Sequence, residues 1–488
     1  MKLFSLLSLS SLYYFSIPSS TSAVSTNLTN EFTIRSQFLA DSFVCSYYSQ
    51  GQGIFPSEAL WQSGNTIETL SNLMLILSSS STYNDLIYNS YERNAPVVDN
   101  CFDDHQWWLL GWIRAYQLTQ NTLYIQRAAQ IFDYVIQYGW DTTVCNGGVL
   151  WCPSPTSPYK NAITNDLFLT SAMELHPYTS LVNKSTNYYL DWAKTSWSWL
   201  ESSGIINNQY LLNDGLNSQQ NSCLNNNGTT WTYNQGVLLD GLALLSQATQ
   251  NTTILQVAQS IAESVFTNLV SSNGILVEPC SNCDNDQHIF KGIFIRHLSK
   301  LIQYTNDQTF ITKANNFIVN NALSMLTLDS CSTASMYGLH WEGPQCSDNS
   351  VSSTTAALDL LVSAITSSTD NTIIYNQQPI LSDQSLNNFT SYGLGVCTDV
   401  NNNTMPACMS NLNVSEQQCQ QYATSQFSQV SGYSFQVVCG IASTICTVYS
   451  TDITPNSCGK GWTYVPGAAT QINSVRPTQA SLCVISNS

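Results

Sequence analysis

"CFDDHQWWLLGWIRAY", residues 101–116, sets two neighbouring aspartates, Asp103 and Asp104, directly ahead of a run that turns apolar and carries Trp107, Trp108 and Trp112. Its apolar residues fall nearly all round a helix rather than along one stripe, the pattern of a helix packed on more than one side. Only 9% of the chain is charged, so a carboxylate doublet is not ordinary solvent decoration. The plain alternative is capping, because carboxylates in a first turn meet the helix dipole, worth about 0.3–1 kcal/mol. Capping accounts for one aspartate, not for two followed by an aromatic run.

The same order, a polar cluster and then a strongly apolar helix, recurs five more times. It begins near Gly64 ("SGNTIETLSNLMLIL"), Asn161 ("NAITNDLFLTSAMEL"), Thr232 ("TYNQGVLLDGLALL"), His288 ("HIFKGIFIRHLSKLI") and Ser352 ("SSTTAALDLLVSAI"). More evenly amphipathic helices are expected between them, near 122–138, 186–202, 253–270 and 308–326, with a shorter one at 83–93. Helices wetted on one face belong outside and helices apolar all round belong inside. The expected fold is therefore an all-α (α/α)6 barrel with six parallel inner helices. Its mouth gathers Asn65, Asp103, Asp104, Asn161, Asn165, Asn234, Gln235, Lys291 and Ser352. A generic helical array with scattered Asn, Asp and Ser caps is the competing reading, but six recurrences favour the barrel.

The 488-residue chain opens with an export pattern: Lys2, the apolar "LFSLLSLSSLYYFSI" and the small residues "TSA" at 21–23, with cleavage expected after Ala23. No second apolar run is long enough to span a bilayer, and the C-terminal "PTQASLCVISNS" lacks a GPI-type tail. A secreted, extracellular or lumenal protein without a membrane anchor is expected, as a monomer. Seven N-x-S/T sequons, at Asn27, Asn183, Asn227, Asn251, Asn388, Asn402 and Asn413, agree with that route. Residues 24–369 read as the helical domain, 370–389 as a linker, and 390–488 as a small cysteine-rich accessory module, mainly β or irregular.

Sixteen cysteines in an exported chain imply disulfides. Nine lie from Cys45 to Cys346 and seven from Cys397 to Cys483, so either one bridge joins the two parts or each part keeps a free thiol. "CSNC" at 280–283 has no companion pair at metal-ligand spacing and reads as a structural disulfide. The five histidines show no ligand spacing either, so no metal or other cofactor is expected. A formal charge of −17 argues against nucleic acid as a partner, and no G-x-S-x-G elbow supports a serine hydrolase.

Two close carboxyls cannot both ionise freely, so repulsion leaves one as an acid and the other as a base at the same pH. Glycoside cleavage needs that division: one carboxylic acid protonates the leaving oxygen while the other attacks the anomeric carbon or activates water. Aromatic side chains suit the apolar C–H faces of sugars. Trp107 is a candidate for that contact, whereas Trp108 and Trp112, four apart, share a face and read as barrel core. His105 is a possible general base but more ordinarily a hydrogen-bonded structural residue. Lys291 and Arg296 either hold a substrate oxygen or pair with nearby acids.

The segments "DDHQWWLLGWIRAYQLT", "GGVLW", "YKNAITNDLFL", "TYNQGVLLDGL" and "HIFKGIFIRHLSKL" resemble, in order and spacing, glycoside hydrolase family 76 across roughly residues 40–367. That family comprises endo-α-1,6-mannanases and related fungal cell-wall mannan enzymes. The resemblance implies an (α/α)6 fold, no metal, and retaining chemistry in which Asp103 is the nucleophile and Asp104 the general acid/base. It implies cleft positions for Asn161, Asn165, Asn234, Gln235 and Lys291. Trp61, Asn65 and Trp341 are candidate subsite residues, with core packing as the alternative. The chain departs from the family in its Cys101 two residues before the doublet, in its C-terminal cysteine-rich region and in lacking an anchor. The expected activity is hydrolysis of α-1,6-linked mannan. A transglycosidase sharing the covalent intermediate, and a silent glycan-binding protein, are the rivals.

Overall fold

The computed structural model describes residues 21–369, apart from 79–81, 95–100, 154–157, 218–221, 330, 332–335 and 345; beyond 369 it describes eight short strands and Tyr422, Ser450 and Ile453. Twelve α-helices alternate between two layers. The inner six are α2 (Leu60–Ile76), α4 (Phe102–Thr119), α6 (Ala162–Leu175), α8 (Thr232–Thr249), α10 (Gln287–Ile302) and α12 (Val351–Ser367). Each packs on the next and α12 returns to α2, closing the ring. The outer layer holds α1 (Thr21–Tyr47), α3 (Asn84–Asn94), α5 (Thr122–Tyr138), α7 (Tyr188–Ser203), α9 (Thr252–Asn268) and α11 (Gln308–Leu328). All six inner starts lie within about one turn of the positions expected from sequence.

Burial explains the two classes. Every residue of α6 is buried, polar ones included, whereas α5 buries Tyr124, Ile125, Ala128, Phe132 and Val135 and leaves Tyr134 and Tyr138 to solvent. Inner helices approach closely enough to need glycine at their crossings. A Cβ on Gly236 would stand 2.4 Å from the Phe294 Cα, and one on Gly292 would stand 2.4 Å from the Ala356 Cα.

Each inner helix also sends one charged side chain or more into a common buried cluster: Glu68, Arg114, Glu174, Asp240, Arg296 with Lys300, and Asp359. Arg296 meets Asp359 at 2.9 Å and Glu68 at 3.4 Å. Lys300 reaches Glu68 and Asp240 at 3.2 Å and Glu174 at 3.4 Å. Arg114 adds contacts to Glu174 and, at 3.6 Å, to Glu68. The ring is thus stitched by ions as well as by apolar packing.

Helix α1 was not expected from sequence. Its apolar stripe, Phe32, Leu39, Ala40 and Phe43, is buried, and the helix packs on α12. The stripe is diluted by serines and threonines, which favour other backbone states. The expected export signal lies outside the described residues except for its last three, which begin α1. No described helix is long and apolar enough to cross a membrane.

Beyond 388 the described residues form an antiparallel sheet of order β1-β8-β4-β5-β3-β6 and a separate pair β2-β7. These are β1 (Phe389–Leu394), β2 (Val396–Thr398), β3 (Ala407–Ser410), β4 (Gly432–Val438), β5 (Ser443–Tyr449), β6 (Trp462–Val465), β7 (Ser474–Arg476) and β8 (Ser481–Ser486). All of the expected linker but Phe389 lies outside the described residues. Disulfides join Cys101–Cys152, Cys145–Cys223, Cys280–Cys283 and Cys331–Cys346. Cys45 is disulfide-bonded too. The other eight cysteines up to Cys346 are paired with one another.

Candidate active site

The doublet sits in the first turn of α4, where the free backbone N–H groups and the helix dipole favour negative charge. Cys101, the N-cap, makes no side-chain cap; the Asp103 Oδ1 instead accepts from the Asp104 backbone N–H at 3.1 Å. Asp103 is buried and Asp104 half-buried. One carboxylate oxygen of each lies within 4.8 Å of the other. The Cys101 sulfur is equally close, but it is bonded to Cys152 and offers no thiolate to a metal.

The second Asp103 oxygen, Oδ2, accepts from the Trp151 Nε1–H at 2.9 Å. Trp151 was not singled out from sequence, although it ends the "GGVLW" motif and precedes Cys152. Its backbone is held on both sides: the Phe102 N–H donates to its carbonyl and its own N–H donates to the Tyr159 carbonyl, both at 2.7 Å. Cys101–Cys152 ties the same two segments covalently.

An aromatic floor crosses the mouth. Trp61 on α2 stacks on Trp107 with ring centres 5.7 Å apart, Trp107 on Tyr233 at 6.3 Å, and Tyr233 on Phe290 at 3.6 Å. Trp231 packs edge-on to Phe290. Trp61 and Trp231 are half-buried, so they form the accessible rim, while Trp107 is buried beneath it. Trp108 and Trp112 stack on each other in the core, as expected.

The amide side chains mostly pin loops. Asn165 accepts from the Val149 N–H at 2.7 Å and donates to the Val149 carbonyl at 3.0 Å, fixing the loop that carries Trp151. Gln235 clasps Leu212 in the same way, at 2.8 and 2.9 Å. Asn161 caps α6 through the Thr164 N–H. Asn234 is fully buried on α8, with neither amide atom hydrogen-bonded among the described residues.

Other expected site residues stand behind the wall. Lys291 is buried, donates to the Leu276 carbonyl and lies 4.1 Å from the ring centre of the equally buried Trp341. Trp341 is held against α11, where its carbonyl accepts from the Ser324 hydroxyl at 2.8 Å. Asn65 accepts from the Arg296 guanidinium at 2.5 Å within the charged cluster, and Arg296 pairs with acids there. Ser352 donates to Gln62 at 3.1 Å. His105 is buried against the Tyr134 ring.

Burial pushes the carboxyls of Glu58, Glu278 and Asp329 up to about 8, outweighing threonine hydroxyl bonds at the first two and the Lys291 charge at the third. Glu58 and Glu278 would otherwise titrate at 4.5 and Asp329 at 3.8. Between those values and 8 the unfolded chain binds fewer protons than the folded one, so stability falls as pH rises across that window. Burial lowers Lys291 from 10.5 to about 8, so stability recovers between 8 and 10.5. Glu68 acts oppositely: burial raises it, but Arg296, Lys300 and Arg114 together hold it below its usual 4.5. Its contribution is present above 4.5 and fades as pH falls below it. Thermal unfolding is expected at a higher temperature at pH 5 than at pH 8; a flat or rising profile would contradict these assignments.

Comparison with known proteins agrees with this geometry. The model of glycosyl hydrolase family 76 matches residues 32–377. The mannan endo-1,6-alpha-mannosidase DCW1 of Candida albicans is 32% identical over 181 residues, covering 35% of this chain and 39% of that protein. Its namesake in Saccharomyces cerevisiae is 24% identical over 349 residues, covering 64% and 74%. The chain spans less than two thirds of the length of most of the curated relatives it matches. Among solved structures, the GH76A alpha-1,6-mannanase of Salegentibacter superposes with a TM-score of 0.61 at 21% identity, over 69% of this chain and 99% of that one. An inactive variant of that enzyme, with two adjacent aspartates changed to asparagine, is known in complex with alpha-1,6-mannotriose. With the family model matched over most of its length and the closed double ring of helices in place, the chain belongs to glycosyl hydrolase family 76.

Proposed function

We propose that the protein is an exported endo-acting glycoside hydrolase that cuts α-1,6-mannosidic linkages in mannan with retention of configuration. The observation that carries this reading is the doublet itself: two carboxylates in the first turn of an inner helix, oxygens within 4.8 Å, beside an aromatic floor with a half-buried rim. Retaining glycosidases hold their carboxyls about 5–5.5 Å apart and inverting ones about 6.5–9.5 Å, so the short spacing supports retention. The names of the relatives support mannan as substrate.

In this mechanism an Asp103 oxygen forms a bond to the anomeric carbon as the bond from that carbon to the leaving oxygen breaks. Asp104 gives its proton to the leaving oxygen. Asp104, now a carboxylate, then takes a proton from water, whose oxygen displaces Asp103 from the same carbon and releases the sugar. Trp61 and Trp231 offer ring faces to sugars on either side, and Asn161, Asn165 and Gln235 act by holding the loops around the mouth. Residues 1–23 serve as the export signal, 24–369 as the catalytic domain, 370–389 as a linker and 390–488 as an accessory module. Four disulfides within the helical part support an oxidising destination.

Incubation with linear α-1,6-mannan is expected to release short oligosaccharides whose newly formed reducing ends appear first as the α-anomer by proton NMR. Initial β-anomer would sink retention. No release, or transfer only to an added acceptor sugar, would sink hydrolysis.

A further inference from the structure

Among the described residues Trp151 is the only tryptophan exposed to as much as 43%, yet it is one of the most firmly held. Exposing so large an apolar ring forfeits burial that the same residue would gain in the core. The tryptophans that follow the doublet on α4, Trp107, Trp108 and Trp112, are buried. Its backbone is clamped by Phe102 and Tyr159, its neighbour Cys152 is bridged to Cys101, and Val149 two residues earlier is gripped by Asn165. The clamping leaves the indole one evident task. Its N–H meets the Asp103 Oδ2 at 2.9 Å while Oδ1 is taken by the Asp104 backbone N–H at 3.1 Å. Both oxygens of one carboxylate are thereby fixed by donors from two segments that the disulfide joins.

We infer that Trp151 is the positioning residue for the Asp103 carboxylate, fixing which oxygen faces the sugar, and that the Cys101–Cys152 bridge keeps this donor in register with α4. The inference rests on the proposed nucleophilic role of Asp103 for its effect on turnover, but not for the hydrogen bond itself. A donor to an ionised carboxylate favours the charged form and holds its orientation. A donor on a loop 48 residues away does so only if the loop is rigid, which accounts for its several anchors.

The test has two arms. In ¹⁵N-indole NMR of the full chain, the Trp151 Nε1–H signal, assigned by its absence from Trp151→Phe, is expected to move with pH as Asp103 titrates. In Asp103→Asn that movement is expected to disappear. In kinetics on α-1,6-mannan, Trp151→Phe keeps an aromatic face but removes the donor. A charge-assisted hydrogen bond is worth about 10- to 100-fold, so kcat is expected to fall by about that factor while KM changes less than about threefold. The acid limb of the pH profile is expected to move to higher pH. Trp151→His, which restores a ring N–H, is expected to recover part of the loss.

An indole signal indifferent to Asp103 would overturn the inference. So would a Trp151→Phe enzyme with unchanged kcat, or one whose loss lies in KM with the acid limb unmoved. A wild-type protein that leaves mannan intact while its indole signal follows Asp103 would remove the proposed substrate and keep the positioning contact. Melting temperatures of the variants, compared with the parent, separate a folding defect from either result.

Discussion

Asp103→Asn is expected to lower kcat on α-1,6-mannan by about 10⁴-fold or more, a barrier roughly 5.5 kcal/mol higher. The substitution is nearly isosteric, and the amide oxygen still accepts from the Trp151 indole or the Asp104 backbone. The loss therefore belongs to the missing nucleophile, not to a displaced loop. Asp104→Asn is expected to cost less, about 10²–10⁴-fold, the usual worth of a positioned general acid or base. Leaving-group chemistry separates the two. An aryl α-mannoside, whose phenol departs without protonation, restores the first step in Asp104→Asn and does nothing for Asp103→Asn. Azide, which needs no general base, is expected to speed the second step of Asp104→Ala and give mannosyl azide of retained configuration. Losses independent of the leaving group, or rescue of Asp103→Asn rather than its neighbour, would overturn the assignment of roles.

The doublet was legible because its chemistry is local: two carboxylates in one helical turn are visible in six letters of sequence. The ring of inner helices was legible for a related reason, since a helix buried on all sides leaves no wet stripe. α4 starts at Phe102, one residue before the Asp103 at which the polar cluster "DDHQ" opens. Helix α1 was missed because its threonines and serines dilute the stripe from Phe32 to Phe43. What sequence withheld at the site was the direction of each polar side chain. Asn165 and Gln235 were expected to face the cleft, and each grips the backbone of a loop instead. Lys291 and Trp341 belong to one buried stack, which only the fold of the Cys331–Cys346 loop decides. Trp151 contacts Asp103 across 48 residues, and no periodicity encodes such a meeting. The pair Cys101 and Cys152, flanking the two partners, was the one covalent hint.

Arg296→Met is expected to destabilise the barrel by about 3–5 kcal/mol, the cost of stranding one side of a buried ion pair. Arg296 is 3% exposed and faces the equally buried Glu68 and Asp359. Burial raises the Asp359 carboxyl to about 6 even with the guanidinium beside it, so the charge on this side of the cluster is held narrowly. Without Arg296, Glu68 keeps Lys300 at 3.2 Å and Arg114 at 3.6 Å, whereas among the described residues Asp359 keeps only the Thr69 hydroxyl, which donates to it at 2.8 Å. Asp359 should then take up a proton on folding, and the variant's deficit should shrink as pH falls toward the parent's value near 6 and level off below it. The cluster borders a cavity of about 400 Å3 lined by Arg114, Glu174, Asp240, Arg296, Lys300 and Asp359, which gives these ions room for hydration. Urea unfolding of the parent, Arg296→Met, Asp359→Leu and the double variant closes a cycle. Removing both partners is expected to cost less than the sum of the single losses, by about 0.5–3 kcal/mol, because apolar groups replace a stranded charge. Strict additivity would mean that Arg296 and Asp359 act independently and that their pairing across α10 and α12 adds nothing to the closure of the ring.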